Sequence, residues 1–379
     1  MTVLRIVVGL LGAAGVAAVL ASIIRSVVLP RGVPARLARL VFLTVRQMLT
    51  LRLRIGRRQD YQTRDRVFSL QAPLGLFAQL FTWGVLILLC FSAIFWALSV
   101  SPLSFSQVPH AVELAGSSLF TLGFDRPSGL VRQIVAFAAA GVGLSLFALV
   151  ITYLPSLYGA FARREALITK LSVRTGSPPD GPGLLIKSWE LARFEQLDLL
   201  WGDWEDWFID LGESHTSFPQ LSFFRSPHPL NHWVPSAEAV LDGAALLRTA
   251  CDVGAEYRSN LCLDAGVSAL VAIADFLGIP HQPPEPEAEI ALPERVFQTG
   301  CDRLAEAGVP LARDRRQAWQ DFRRVRSRYE PLVAVLGGMT DAPRSEWSSW
   351  SDDAPRHSPP LVRIHRPRRL DGGLPNRDP

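Results

Sequence analysis

Ser117–Arg126, SSLFTLGFDR, stands between two of the most apolar stretches of the chain and carries a Gly, an Asp and an Arg where the hydrophobicity stops. Two readings compete: a plain hairpin turn outside a membrane, or a loop that dips back into it and presents backbone to an aqueous path. The surroundings of the loop decide between them. Residues 3–29, 73–100 and 130–154 each hold an apolar run near or above the roughly 20 residues that cross a bilayer as a helix. The 379 residues are 49% hydrophobic and 20% charged, with a mean hydropathy of +0.19, so the apolar residues are concentrated rather than spread. No later segment matches these three. AGVSALVAIADFLGI, 265–279, is short and holds Asp275, so a buried helix of a soluble domain is expected there.

Between the first two runs, residues 31–66 carry ten arginines (31, 36, 39, 46, 52, 54, 57, 58, 64 and 66) against Asp60 and Asp65. The excess of positive charge predicts a cytoplasmic loop. The first helix then runs inward, the second outward, and the third returns the chain to the cytoplasm, where RREALITK (163–170) adds more positive charge. A cleavable signal peptide over 1–24, with Val19-Leu20-Ala21 before the cut, is the alternative for the first run and leaves the direction of the other two unchanged. Within the arginine loop, residues 37–56 place apolar residues at helical spacing between arginines. That pattern suits a helix on anionic lipid headgroups or one packed on the protein's own soluble domain.

Upstream of the opening stretch, residues 101–120 are too short and polar to span, yet their second half is a short helix starting near Pro109; downstream an apolar helix begins almost at once. The order is outer helix, short helix, Thr-x-Gly-aromatic loop, inner helix. Together with Thr121, Leu122, Gly123, Phe124 and Asp125 it resembles the pore domain of the potassium channel superfamily, whose filter signature is Thr-Val-Gly-Tyr-Gly-Asp. The signature's second glycine has no counterpart, because Asp125 follows Phe124 directly and Arg126 follows Asp125. The resemblance covers residues 73–155. It implies carbonyl oxygens of 121–124 replacing an ion's hydration shell, four chains around one axis, and a hinge glycine in the inner helix near Gly141 and Gly143. Close helix packing is the competing role for those two glycines.

After Phe161 the composition becomes that of a soluble domain. TGSPPDGPG (175–183) is a turn-rich stretch, and helical patterns follow at about 184–214, 235–254, 257–278, 292–307 and 311–337, with Pro235 and Pro310 fitting helix starts. Trp201, Trp204 and Phe208 share a helix face, which reads as core. His215, His228 and His232 with Glu213 invite a metal reading that the proline-rich SPHPLNHW disfavours, so no metal site is expected there. Cys90, Cys251, Cys262 and Cys301 form no CxxC pair. No Gly-rich nucleotide motif and no Ser/His/Asp, Cys/His or Walker arrangement points to an enzyme or a cofactor.

The expected molecule is an all-α membrane protein with three transmembrane helices, a re-entrant pore helix and filter loop, and a helical cytoplasmic domain. Its divisions are a first transmembrane helix (1–30), an arginine-rich loop (31–72), a pore domain (73–155), a linker (156–183), a helical domain (184–340) and a disordered tail (341–379). Membrane lipid, a monovalent cation, potassium foremost, and three further copies of the chain are its implied partners, in the inner membrane of a cell, with no nucleic acid. A non-conducting signalling or scaffold protein that keeps the pore architecture is the rival expectation.

Overall fold

The computed structural model describes residues 2–28, 36–55, 60–99, 105–192, 197–253, 257–281 and 289–350. Among these residues the regular elements are helices, with one isolated antiparallel bridge between Cys251 and Leu311. The chain divides into two compact units, Met1–Leu167 with Ser214–Pro229, and Ile168–Glu213 with Leu230–Pro379. Four helical stretches are long and apolar enough to cross a membrane: Val3–Val27, Tyr61–Ala97, Leu130–Thr175 and Tyr257–Leu277.

In the first unit, α1 (Thr2–Ile23) continues through a π turn at Ile24–Val28, and α2 (Arg36–Ile55), α3 (Tyr61–Phe68), α4 (Gln71–Ala97), α5 (Val108–Leu119) and α6 (Leu130–Thr175) follow. At 1.5 Å per residue, α4 reaches about 40 Å and α5 only about 18 Å, against a hydrocarbon core of about 30 Å. Helix α1 lies close along α4 because Gly12 leaves room: a Cβ there would come within 2.8 Å of the Cys90 carbonyl oxygen. One apolar core joins Val19 and Ile23 of α1, Trp83, Ile87, Phe91 and Phe95 of α4, Ala111, Leu114, Ala115 and Leu119 of α5, and Ala139 of α6.

Helix α2 packs one face inside the first unit, on α3, α4 and Phe223. Leu43, Leu49 and Leu53 are buried, and Arg46 lies over the rings of Phe68 and Phe223, whereas Leu40, Met48 and Leu51 are exposed. The segment Ser214–Pro229, expected in the soluble domain, groups with this first unit. The buried Arg164 of α6 explains why: it donates to the Leu221 and Phe224 carbonyls at 2.7 and 2.8 Å and pairs with Glu165. Arg225 of the same segment pairs with the buried Asp65 of α3 at 2.9 Å.

The second unit is built around α9 (Trp233–Thr249), whose residues from Trp233 to Leu247 are all buried. Against it pack α7 (Gly181–Ala192), α10 (Tyr257–Leu277), α12 (Arg315–Arg326) and α13 (Glu330–Thr340); α8 (Leu197–Ser217) precedes α9, and α11 (Glu294–Glu306) lies against α7 and α12. Trp201, Trp204 and Phe208 are buried core residues. At its centre Arg326, fully buried, donates to Glu238, Asp242 and Glu330 at 3.0, 2.6 and 2.9 Å and to the Trp347 carbonyl at 2.7 Å.

Several boundaries differ from the sequence reading. Residues 156–175 are the end of α6, not linker, because Pro155 is accommodated inside that helix. The helix expected over 311–337 is two, parted at Ser327–Tyr329; Pro310 lies beside the Cys251–Leu311 bridge, and Asp314 caps α12 by accepting from the Arg316 and Gln317 amides. Pro235 sits in the first turn of α9, two residues past its start. Residues 342–350 are packed rather than disordered, since Trp347 and Trp350 are buried and Ser349 bonds Glu238; 351–379 lie outside the described residues. Helix α10 is longer than the 265–279 run and meets the length and composition of a span, while Cys262, Leu270, Ile273 and Ala274 are buried.

Candidate functional site

Helix α5 is short for a physical reason at each end. Pro109 occupies its first turn, where no N–H is needed, and it stops at Leu119 because the next residues leave helical conformation. Ala111, Leu114, Ala115 and Leu119 recur at three- and four-residue spacing and put one face into the core of the first unit. Helix α6 comes close behind it. A Cβ on Gly143 would collide with the Leu119 carbonyl oxygen, whereas a Cβ on Gly141 would meet nothing within 4 Å.

The loop that follows is held from behind by its amides. Phe120 N–H donates to the Gly116 carbonyl at 3.0 Å, Thr121 N–H to Ser118 at 3.1 Å and Leu122 N–H to Ser117 at 2.9 Å. The Ser117 hydroxyl accepts from the Asp125 N–H at 3.1 Å and lies 3.3 Å from the Asp125 carbonyl. Thr121 has φ 54° and Gly123 φ 73°, both left-handed, and the space where a Gly123 Cβ would go is empty. Four of the loop's amides, those of Phe120, Thr121, Leu122 and Asp125, are thus bonded to α5, while the carbonyl oxygens of Thr121, Leu122, Gly123 and Phe124 accept no hydrogen bond among the described residues. Phe120, Leu122 and Phe124 are 53, 62 and 67% exposed, so the single chain leaves this loop's apolar side chains uncovered.

Asp125, at the end of the loop, does not meet Arg126. Its Oδ2 lies 3.4 Å from Nδ1 of His110, and His110, Glu113 and Asp125 bring one potential ligand atom each to within 4.8 Å of one another. The sequence reading missed His110 and Glu113. Their three-residue spacing on a helix was a readable signal, but the return of Asp125 to that face depends on the loop.

The expected hinge glycines lie in uninterrupted helix, and Gly143 is a packing residue at the α5 end. Pro155, also missed, is the interior residue of α6 that cannot donate to the carbonyl four residues back, which makes it the weakest point of that helix's ladder. The three histidines of the soluble-domain reading do different work. His215 is buried against Arg164 and Ser214, His232 accepts the Val234 N–H as the cap of α9, and His228 is exposed. Burial pushes the Cys251 thiol up to about 12 and the Cys301 thiol up to about 11, the opposite of what an activated nucleophile needs. No family model, no curated protein and no solved structure matches the chain.

Proposed function

We propose that the protein is a potassium-channel-like ion channel in which four chains surround a central path and the carbonyls of residues 121–124 carry cations passively. The observation that carries this reading is the loop's attachment: the amides of Phe120, Thr121, Leu122 and Asp125 are bonded to α5, while the carbonyls of 121–124 accept no hydrogen bond among the described residues. An ion stripped of water needs such oxygens, and irregular backbone at membrane depth is tolerated where it lines water. The C-terminal end of α5 reaches this loop, and the negative end of its dipole favours a cation there. The exposed Phe120, Leu122 and Phe124 find cover against neighbouring copies.

In this reading α1, α4 and α6 span the inner membrane, α5 is the re-entrant helix, and the arginine-rich 31–66 region and the second unit are cytoplasmic. Helix α6 forms the gate, bending at Pro155. The second reading, a non-conducting scaffold on the same architecture, rests on Asp125 in the place of the signature's second glycine and on its attachment to Ser117. Potassium flux into liposomes under an imposed membrane potential separates the two. Flux that the wild type supports and Gly123→Ala removes is the expected outcome. A tetramer that passes no ion, and that Asp125→Gly does not open, leaves the scaffold reading in its place.

A further inference from the structure

We propose that His110, Glu113 and Asp125 form a binding site for a divalent transition-metal ion of the Zn2+ class, tying the end of the candidate filter loop to the exposed face of α5. Two separate observations point to it. The first is convergence: His110 and Glu113 stand three residues apart on one helix face, and the chain returns Asp125 to them so that one ligand atom from each lies within 4.8 Å of the others. The second is a carboxylate oxygen without a hydrogen bond, whose ionisable neighbour is His110. The Asp125 side chain is partly exposed, yet its Oδ2 is covered and accepts no hydrogen bond, a costly state for a carboxylate oxygen that an ion relieves.

Distance and donor chemistry then select the ligand. Two ligands held at 2.0–2.2 Å from a tetrahedral zinc lie about 3.4 Å apart. The His110 Nδ1 to Asp125 Oδ2 separation is 3.4 Å, long for a hydrogen bond and suited to a shared ion. Glu113 is exposed and free to swing its carboxylate inward. One imidazole nitrogen and two carboxylate oxygens form a mixed set that suits zinc and its first-row neighbours, while calcium and magnesium take oxygen sets. Three protein ligands leave a fourth position for water. Occupation would pin Asp125 and with it the register of residues 120–124.

The test is metal binding to the full chain purified in detergent. Titration with Zn2+ by calorimetry, and with Co2+ followed by its visible absorption, should give one ion per chain, with Zn2+ displacing Co2+. His110→Ala, Glu113→Gln and Asp125→Asn should each weaken binding about tenfold or more, the scale expected when a site loses part of its coordination. His228→Ala serves as the control and should bind as the wild type does. His110 and Glu113 are exposed, so their variants should keep the wild-type helical circular dichroism. Wild-type protein that takes up no Zn2+ at millimolar concentration overturns the proposal, as does unchanged affinity in His110→Ala or preference for Ca2+ over Zn2+. Binding requires no conduction, so a protein that passes no ions can still bind metal here, and one that conducts can still fail this test.

Discussion

Helices α6 and α9 are both rich in apolar residues, and their surroundings are opposite. Every residue of α9 from Trp233 to Leu247 is covered by its own unit, whereas α6 leaves Leu130, Ile134, Phe137, Leu144, Phe147 and Ile151 exposed in the single chain. A helix that is apolar all round belongs either at the centre of a protein or in lipid; α9 is of the first kind, and α6 is long and apolar enough for the second. The second unit buries its central helix, although its α10 is also long and apolar enough to span. The first unit leaves this apolar surface exposed in the single chain. Charge does not follow this contrast, because both units bury it in pairs: the second places Arg326 among three carboxylates, and the first pairs Arg164 with Glu165 and Arg225 with Asp65.

The sharpest way to break the second unit is Arg326→Met. It leaves Glu238, Asp242 and Glu330 buried without their common cation and should cost about 3–5 kcal/mol. It should also release Trp347 and Ser349, which Arg326 holds. Denaturant unfolding followed by tryptophan fluorescence measures the loss, and an unchanged midpoint would sink the idea that this cluster organises the unit. The cluster also predicts a pH dependence. Burial lifts Glu238 to about 8 and Asp242 to about 6, with Arg326 opposing the rise in each. Carboxyls whose folded pKa is raised hold protons that the unfolded chain has already lost. Their stabilisation is therefore present in acid and is lost as pH rises through about 6 and then about 8. Stability of the second unit should fall from about pH 4 to about pH 8, and Glu238→Gln should flatten that slope.

The halves also differ in how much their sequence discloses. Long apolar segments announce themselves by length alone, so the all-helical character and the presence of candidate spans can be read directly, as can the shared face of Trp201, Trp204 and Phe208. Other features depend on partners distant in the chain. Nothing local says that 214–229 joins the first unit, because that follows from Arg164 reaching the Leu221 and Phe224 carbonyls. The break between α12 and α13 has no glycine to mark it, only Pro331 in the first turn of the second helix. The Pro- and Ser-rich run after Asp341 conceals two tryptophans that fill the core. At the candidate site, Thr121–Asp125 is visible as a motif, but the inward use of its amides and the convergence of His110, Glu113 and Asp125 are properties of the fold.

In the exposed half, the next effect in size belongs to Gly143. A Cβ there meets the Leu119 carbonyl, backbone against backbone, so Gly143→Ala must push α6 away from α5 at a cost of about 1–3 kcal/mol. Weaker tetramers in crosslinking and loss of flux are expected; wild-type assembly would show that the two helices are not held at this spacing. Gly123→Ala comes next. There is ample space for the methyl group, and the penalty is the left-handed backbone alone, about 1–2 kcal/mol per chain. That variant should keep its assembly and lose potassium flux, which separates a fault in the filter from a fault in packing.

The smallest effect is the most discriminating, because it sets two glycines of one helix against each other. Gly141 and Gly143 are two residues apart in α6, yet only the second is pressed against a neighbour within its own chain. If Gly141 is neither a packing residue nor a hinge, Gly141→Ala replaces a poor helix former by the best one and should raise stability by about 0.5–1 kcal/mol. Thermal unfolding in detergent reads that gain, and in the proposed channel, where the bend lies at Pro155, flux should stay at the wild-type level. Loss of flux with the stability gain intact would restore the hinge to Gly141. Loss of both assembly and flux would instead place Gly141 against a neighbouring copy, on the exposed surface of α6 that the chain leaves for other molecules to cover.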